Sequence, residues 1–205
     1  MKRTPLKVTT DSGAGKGKAE NGNAMMELAI TLCLAALLIP AMITDLQSRR
    51  IANALVFPFW GIALALGLLF GGMAGLGASA AGLGIALVAG LVFWFPGWLG
   101  AGDVKLMAAV GGLTGAPLVW HALAAVALSG LLLALGALLW RGLLSSALQR
   151  YRASLAMTLA GRQLIYLRPG ADEEQVRLPY ALAIGFGTGW VWLGQAGFIP
   201  ALIAV

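Results

Sequence analysis

From Leu28 to Ala171 the chain carries two acidic residues, Asp45 and Asp103, set among long apolar runs. The first run is centred on Leu28 to Ile39, and the longest reaches from Leu118 to Trp140. Ionisable groups at membrane depth are costly and need a reason to be there. The composition agrees with this pattern: 60% of residues are hydrophobic and 11% charged, where a soluble domain has about a quarter charged. The 29 glycines suit membrane helices that approach closely through small contacts. These features predict an all-α polytopic membrane protein with about six transmembrane helices.

Residues 1–24 are polar and lack the apolar core of a signal peptide, so they read as a flexible tail ahead of a membrane domain over 25–205. Met25-Met26 directly precedes the first apolar run and is a candidate start of translation. Asp11 to Lys18 only superficially resembles a phosphate-binding loop, because the full spacing and a preceding strand are missing.

Six spans are expected. They cover Glu27 to Thr44, Asn53 to about Phe70, about Leu76 to Phe95, Asp103 or Val104 to about Leu113, Leu118 to Trp140, and Tyr180 to Trp192. Gly71-Gly72 with Gly75, Pro96-Gly97 and Gly115-Ala116-Pro117 punctuate them. The fourth span is short for a full crossing and needs protein or water over its ends. Residues 141–178 form a basic loop, of which Tyr151 to Tyr166 reads as a surface helix.

The net charge of +6 fits loops facing anionic lipid, and no motif for nucleic acid is present. Arg49-Arg50, Lys105 and the 141–178 loop follow the first, third and fifth spans. They therefore share one side, and the positive-inside rule makes it cytoplasmic. The basic residues of the N-terminal tail oppose this orientation, a conflict that a start at Met25 removes. Asp45 ends the first span and Asp103 begins the fourth, so both fall at that same face.

Two neighbouring carboxylates resist ionising together and share a proton. One then serves as base toward water while the other donates to a carbonyl oxygen. Gly100 and Gly102 let backbone approach a substrate and allow the turn that presents Asp103. Each aspartate also has a purely structural reading: Asp103 as a helix cap, Asp45 as an ion-pair partner of Arg49 or Arg50. Lys105 reads as a charge that reaches toward headgroups. The lone Cys33 reads as a buried hydrophobe. The lone His121 reads as incidental, since a metal site would need more ligands.

The stretch Gly100-Ala101-Gly102-Asp103-Val104-Lys105-Leu106 resembles the second-aspartate signature of the type IV prepilin peptidases, a family of membrane aspartyl proteases. Asp45-Leu46-Gln47-Ser48-Arg49-Arg50-Ile51-Ala52-Asn53 resembles the first, with Ala52 where the family usually has proline. The likeness covers roughly 26–140 and is nearest to the short form found with tight-adherence (Flp) pilus systems. It implies an endopeptidase of the bacterial inner membrane, working at the cytoplasmic face. The enzyme would cut the basic leader of pilin-like precursors, with Asp45 and Asp103 catalytic. Gly100, Gly102, Lys105, Arg49, Arg50 and Asn53 would shape the site. Pilin-like precursors and membrane lipids are the expected partners. No metal and no cofactor is expected, because the four-cysteine zinc domain of the longer, N-methylating members has no counterpart here. Two other readings are a proton-coupled transporter and a non-catalytic assembly protein of a pilus or secretion system.

Overall fold

The computed structural model describes residues 13–161 and 179–195 of the chain. They form five α-helices: α1 (Gly13–Ser48), α2 (Asn53–Trp94), α3 (Ala101–Trp140), α4 (Leu144–Gly161) and α5 (Tyr180–Gln195). Three of them, α1 from Asn21 onward, α2 and α3, are long and apolar enough to cross a membrane. The fold is an α-helical membrane bundle.

Glycine decides the shape of the two longest helices. Gly72 breaks α2 with φ 59° and ψ −148°, and Gly115 breaks α3 with φ 76° and ψ 169°. Both conformations lie close to the region of backbone space that a Cβ all but forbids. At each the chain turns back on itself. A Cβ on Gly67 would meet the Ser79 side chain, and would come within 2.7 Å of the Gly75 carbonyl. In an unbroken helix residues 67 and 79 would stand about 18 Å apart. Likewise Met107 and Leu123 line the same small cavity, although a straight helix would hold them about 24 Å apart. The breaks expected at Gly71–Gly75 and Gly115–Pro117 are therefore where the chain reverses.

The two halves of α2 span about 28 and 33 Å, enough for a hydrocarbon core of about 30 Å. The first half of α3, residues 101–114, reaches only about 21 Å. It is tolerated because it lies at the centre of the bundle: every residue from Leu106 to Leu113 is buried. Around it Leu37 of α1, Val56 of α2, and Ala181 and Ile184 of α5 close the core. Its contact with α2 is backbone on backbone, since a Cβ on Gly82 or on Gly111 would strike the other glycine's carbonyl oxygen. Small residues allow that approach where lipid provides no hydrophobic drive between helices.

The outward faces are apolar. Leu69 and Met73 are each 77% exposed, and Trp140 is 92% exposed. A soluble bundle would bury such side chains, whereas here acyl chains and the interface take the place of water.

Three expectations need correction or bounding. Helix α1 starts at Gly13, so residues 13–24 continue the first span as helix where a flexible tail was expected; once a helix has nucleated, extending it costs little. The surface helix expected over Tyr151 to Tyr166 begins earlier, at Leu144, and is described as far as Gly161. Residues 1–12, 162–178 and 196–205 lie outside the described residues, and with them Arg162, Arg168 and Arg177.

Candidate active site

Asp45 sits in the last turn of α1 and is only 8% exposed. Its Oδ2 accepts a hydrogen bond from the Ala181 backbone N–H at 3.0 Å. Ala181 is the second residue of α5. The first four amides of a helix have no partner inside it, and they carry the positive end of its dipole. The start of α5 therefore compensates a carboxylate that α1 buries. The alternative partners, Arg49 and Arg50, are exposed, and among the described residues no ion pair joins either of them to Asp45. Arg49 instead turns the chain: its φ of 52° ends α1, and its N–H donates to the Asp45 carbonyl at 2.9 Å.

Asp103 is the third residue of α3, which begins at Ala101, two residues earlier than the apolar pattern predicts. Its Oδ2 reaches back to accept the Gly100 N–H at 3.2 Å. This is half of a capping box, in which an acid in the first turn satisfies the amide of the capping residue. Asp103 thus caps in a different sense from the one expected: its carboxylate takes the amide of the capping residue Gly100, three residues back, in place of a free amide further into α3.

Both aspartates lie at one end of the bundle, because the halves of α2 run out and back between them. A Cβ on Gly102 would fall 3.2 Å from the Ile51 Cβ, so the loop after Asp45 lies against the first turn of α3. Asp45 is tied to the start of α5, directly after Tyr180, and Asp103 to the turn that leads into α3. Among the described hydrogen bonds none links the two carboxylates directly; each takes its proton donor from a main-chain amide at the start of a helix.

The remaining predicted residues fall into two groups. Lys105 and Asn53 come together: Lys105 Nζ donates to Asn53 Oδ1 at 2.9 Å and stands 5.3 Å from the centre of the Phe57 ring. The Trp60 indole N–H donates to the Lys105 carbonyl at 3.1 Å, tying α2 to α3 beside the aspartates. Gly100 is held by its neighbour, since a Cβ there would lie 2.8 Å from Asp103 Oδ2. Arg49 and Arg50 stay at the exposed rim. Cys33 is half-buried and His121 is exposed. Among the described residues no three His, Cys, Asp or Glu side chains gather as a metal site would require.

Tyr180 and Ala181 were not anticipated as site residues. The usable signal was Pro179, which marks the start of a helix, combined with the alternation of spans that returns this helix start to the face of the aspartates.

Ala52 caps α2 with φ −68° and ψ 131°. A proline ring fixes φ close to that value. Ala52→Pro is expected to stabilise the protein by about 0.4 to 1 kcal/mol, by restricting the unfolded chain. Thermal unfolding in detergent micelles measures this, and a fall in melting temperature would contradict it.

Comparison with curated proteins and with solved structures returns no match. Residues 32–138 match the Type IV leader peptidase family. The matched stretch is more than half of the chain, contains both aspartates with the loops that present them, and ends before α5. With its helical membrane fold and this match in hand, the chain belongs to the type IV leader peptidase family.

Proposed function

We propose that this protein is a prepilin peptidase of the short, tight-adherence type, an aspartic endopeptidase of the bacterial inner membrane. It cuts the basic leader from pilin-like precursors and carries out no N-methylation. The family match over residues 32–138 supports this reading, as does the placement of Asp45 beside the start of α5 and of Asp103 in the first turn of α3, at the same end of the bundle.

In this mechanism one carboxyl of the pair is ionised and the other protonated when water attacks. The ionised carboxylate takes a proton from water while the water oxygen bonds to the scissile carbonyl carbon. The protonated carboxyl gives its proton to the carbonyl oxygen. The tetrahedral diol then collapses: the C–N bond breaks, the leaving amine gains a proton, and the pair returns to its starting state. The N–H of Ala181 and that of Gly100 hold the two carboxylates in place throughout.

The protein crosses the membrane six times in this reading: once with α1, twice each with the halves of α2 and α3, and once with α5. Arg49, Arg50, Lys105 and Arg141 all fall at the aspartate end, which the positive-inside rule assigns to the cytoplasm. A precursor would then lie with its apolar helix in the bilayer and its basic leader beside the two acids.

Co-expression with a pilin-like precursor in membranes tests the proposal. A shortened precursor, cut directly before its apolar segment, is the expected product. Accumulation of the intact precursor alone would overturn the assignment in favour of a non-catalytic assembly role.

A further inference from the structure

Beside the aspartates a cavity of about 510 Å³ opens between the second half of α2 and the second half of α3. Its size falls within the range of ligand-binding clefts. No Asp, Glu, Lys, Arg or His lines it. Its polar groups are confined to one end, where Tyr180 and Tyr151 stand with Trp98. That end adjoins the two aspartates, because Leu99 precedes Gly100, whose amide Asp103 accepts, and Tyr180 precedes Ala181, whose amide holds Asp45. From there the walls turn wholly apolar, and they extend along α3 from Ala134 to Leu123, a depth of about 16 Å. Ala127, Gly130 and Ala134 line this α3 wall, and side chains this small let a second helix come close.

A ligand for this cleft has a matching division: polar at the aspartate end, apolar and helical for about three turns beyond it. We propose that the cleft holds the apolar helix of the precursor, starting immediately after the scissile bond. Its first turn lies between Tyr151 and Tyr180, and its later turns lie against Ala127 and Gly130. This rests on the prepilin-peptidase reading and adds to it the surface that selects the substrate. The position of the cleft favours a peptide: Leu99 and Tyr180 in its wall directly precede Gly100 and Ala181, whose amides hold Asp103 and Asp45, so a chain cut at the aspartates continues into it.

The test uses the full chain in membranes with Cys33→Ala, so that an introduced cysteine is the only one. Ala127→Cys is paired with a precursor bearing a single cysteine one or two turns into its apolar segment, and a short bifunctional thiol reagent is added. Leu132→Cys, on the outer side of the same helix and 61% exposed, serves as the comparison. Crosslinking at least fivefold stronger from position 127 than from position 132 is expected. Gly130→Phe, which adds bulk where the cleft wall meets Ala183 of α5, is expected to slow precursor cleavage at least tenfold. Equal crosslinking from the two positions would overturn the proposal, as would crosslinking absent from 127 while the precursor is still cut, the pattern of a lipid-filled cleft. The crosslinking arm stands even where Gly130→Phe misfolds. A chain that cuts no precursor in any form would instead remove the peptidase reading, and this inference with it.

Discussion

Asp45→Asn and Asp103→Asn are each expected to lower precursor cleavage by about 10² to 10⁴-fold, the range for loss of a general acid or base. Both variants should still insert in the membrane at normal levels. Asparagine keeps the carboxylate's shape and can still accept the amide hydrogen bonds from Ala181 and Gly100, but it can neither take a proton from water nor return one. The loss is therefore chemical, and precursor should still bind. The two changes should also combine with little further loss, because residues that act as a unit are strongly non-additive. Cleavage of a precursor in isolated membranes, followed by the mobility of its product, measures this. Near-normal processing by either single variant would exclude the shared-water mechanism.

Gly111→Leu is expected to have the next largest effect, on the fold. A Cβ at Gly111 would strike the Gly82 carbonyl and lie 2.6 Å from the Ala86 Cβ. Most of that contact is backbone, which cannot rotate aside as a flexible side chain would. The halves of α2 and α3 must separate, and overpacking of this kind costs about 3 kcal/mol or more. The same separation widens the distance between the Asp103 end of α3 and α1, so precursor cleavage should fall with stability. Unfolding in detergent micelles and the amount of protein in membranes report the effect. A variant of normal stability would show that this crossing is looser than the structure describes.

Much of this architecture was legible in the chain because its signals are local. A glycine pair within an apolar run, or Gly-Ala-Pro, has few structural options in a membrane, and the reversals at Gly72 and Gly115 follow. Alternation of spans then puts Asp45 and Asp103 at one end without any knowledge of packing. What stayed hidden depends on contacts between distant parts of the chain. Ala181 is a bland residue whose contribution is a main-chain N–H, and nothing in its side chain marks it as the partner of Asp45. The pairing of Asp45 with Arg49 or Arg50 looked natural from adjacency in sequence, yet the turn at Arg49 leaves both arginines exposed. The pairing of Lys105 with Asn53 joins two helix starts that only the fold-back of α2 brings together. The early start of α1 at Gly13 is not legible in the sequence, because the four glycines from Gly13 to Gly22 have poor helix propensity, and propagation from a long apolar helix outweighs it.

The central claim is that Asp45 and Asp103 come together at one face of the membrane. It is tested most directly with Asp45→Cys and Asp103→Cys in one chain lacking Cys33. A short bifunctional thiol reagent added to membranes should join the two positions within a single chain, detected as a connection between α1 and α3 after proteolysis. Two cysteines that each react with a single-ended reagent, yet are never joined by the short bifunctional one, would contradict the account.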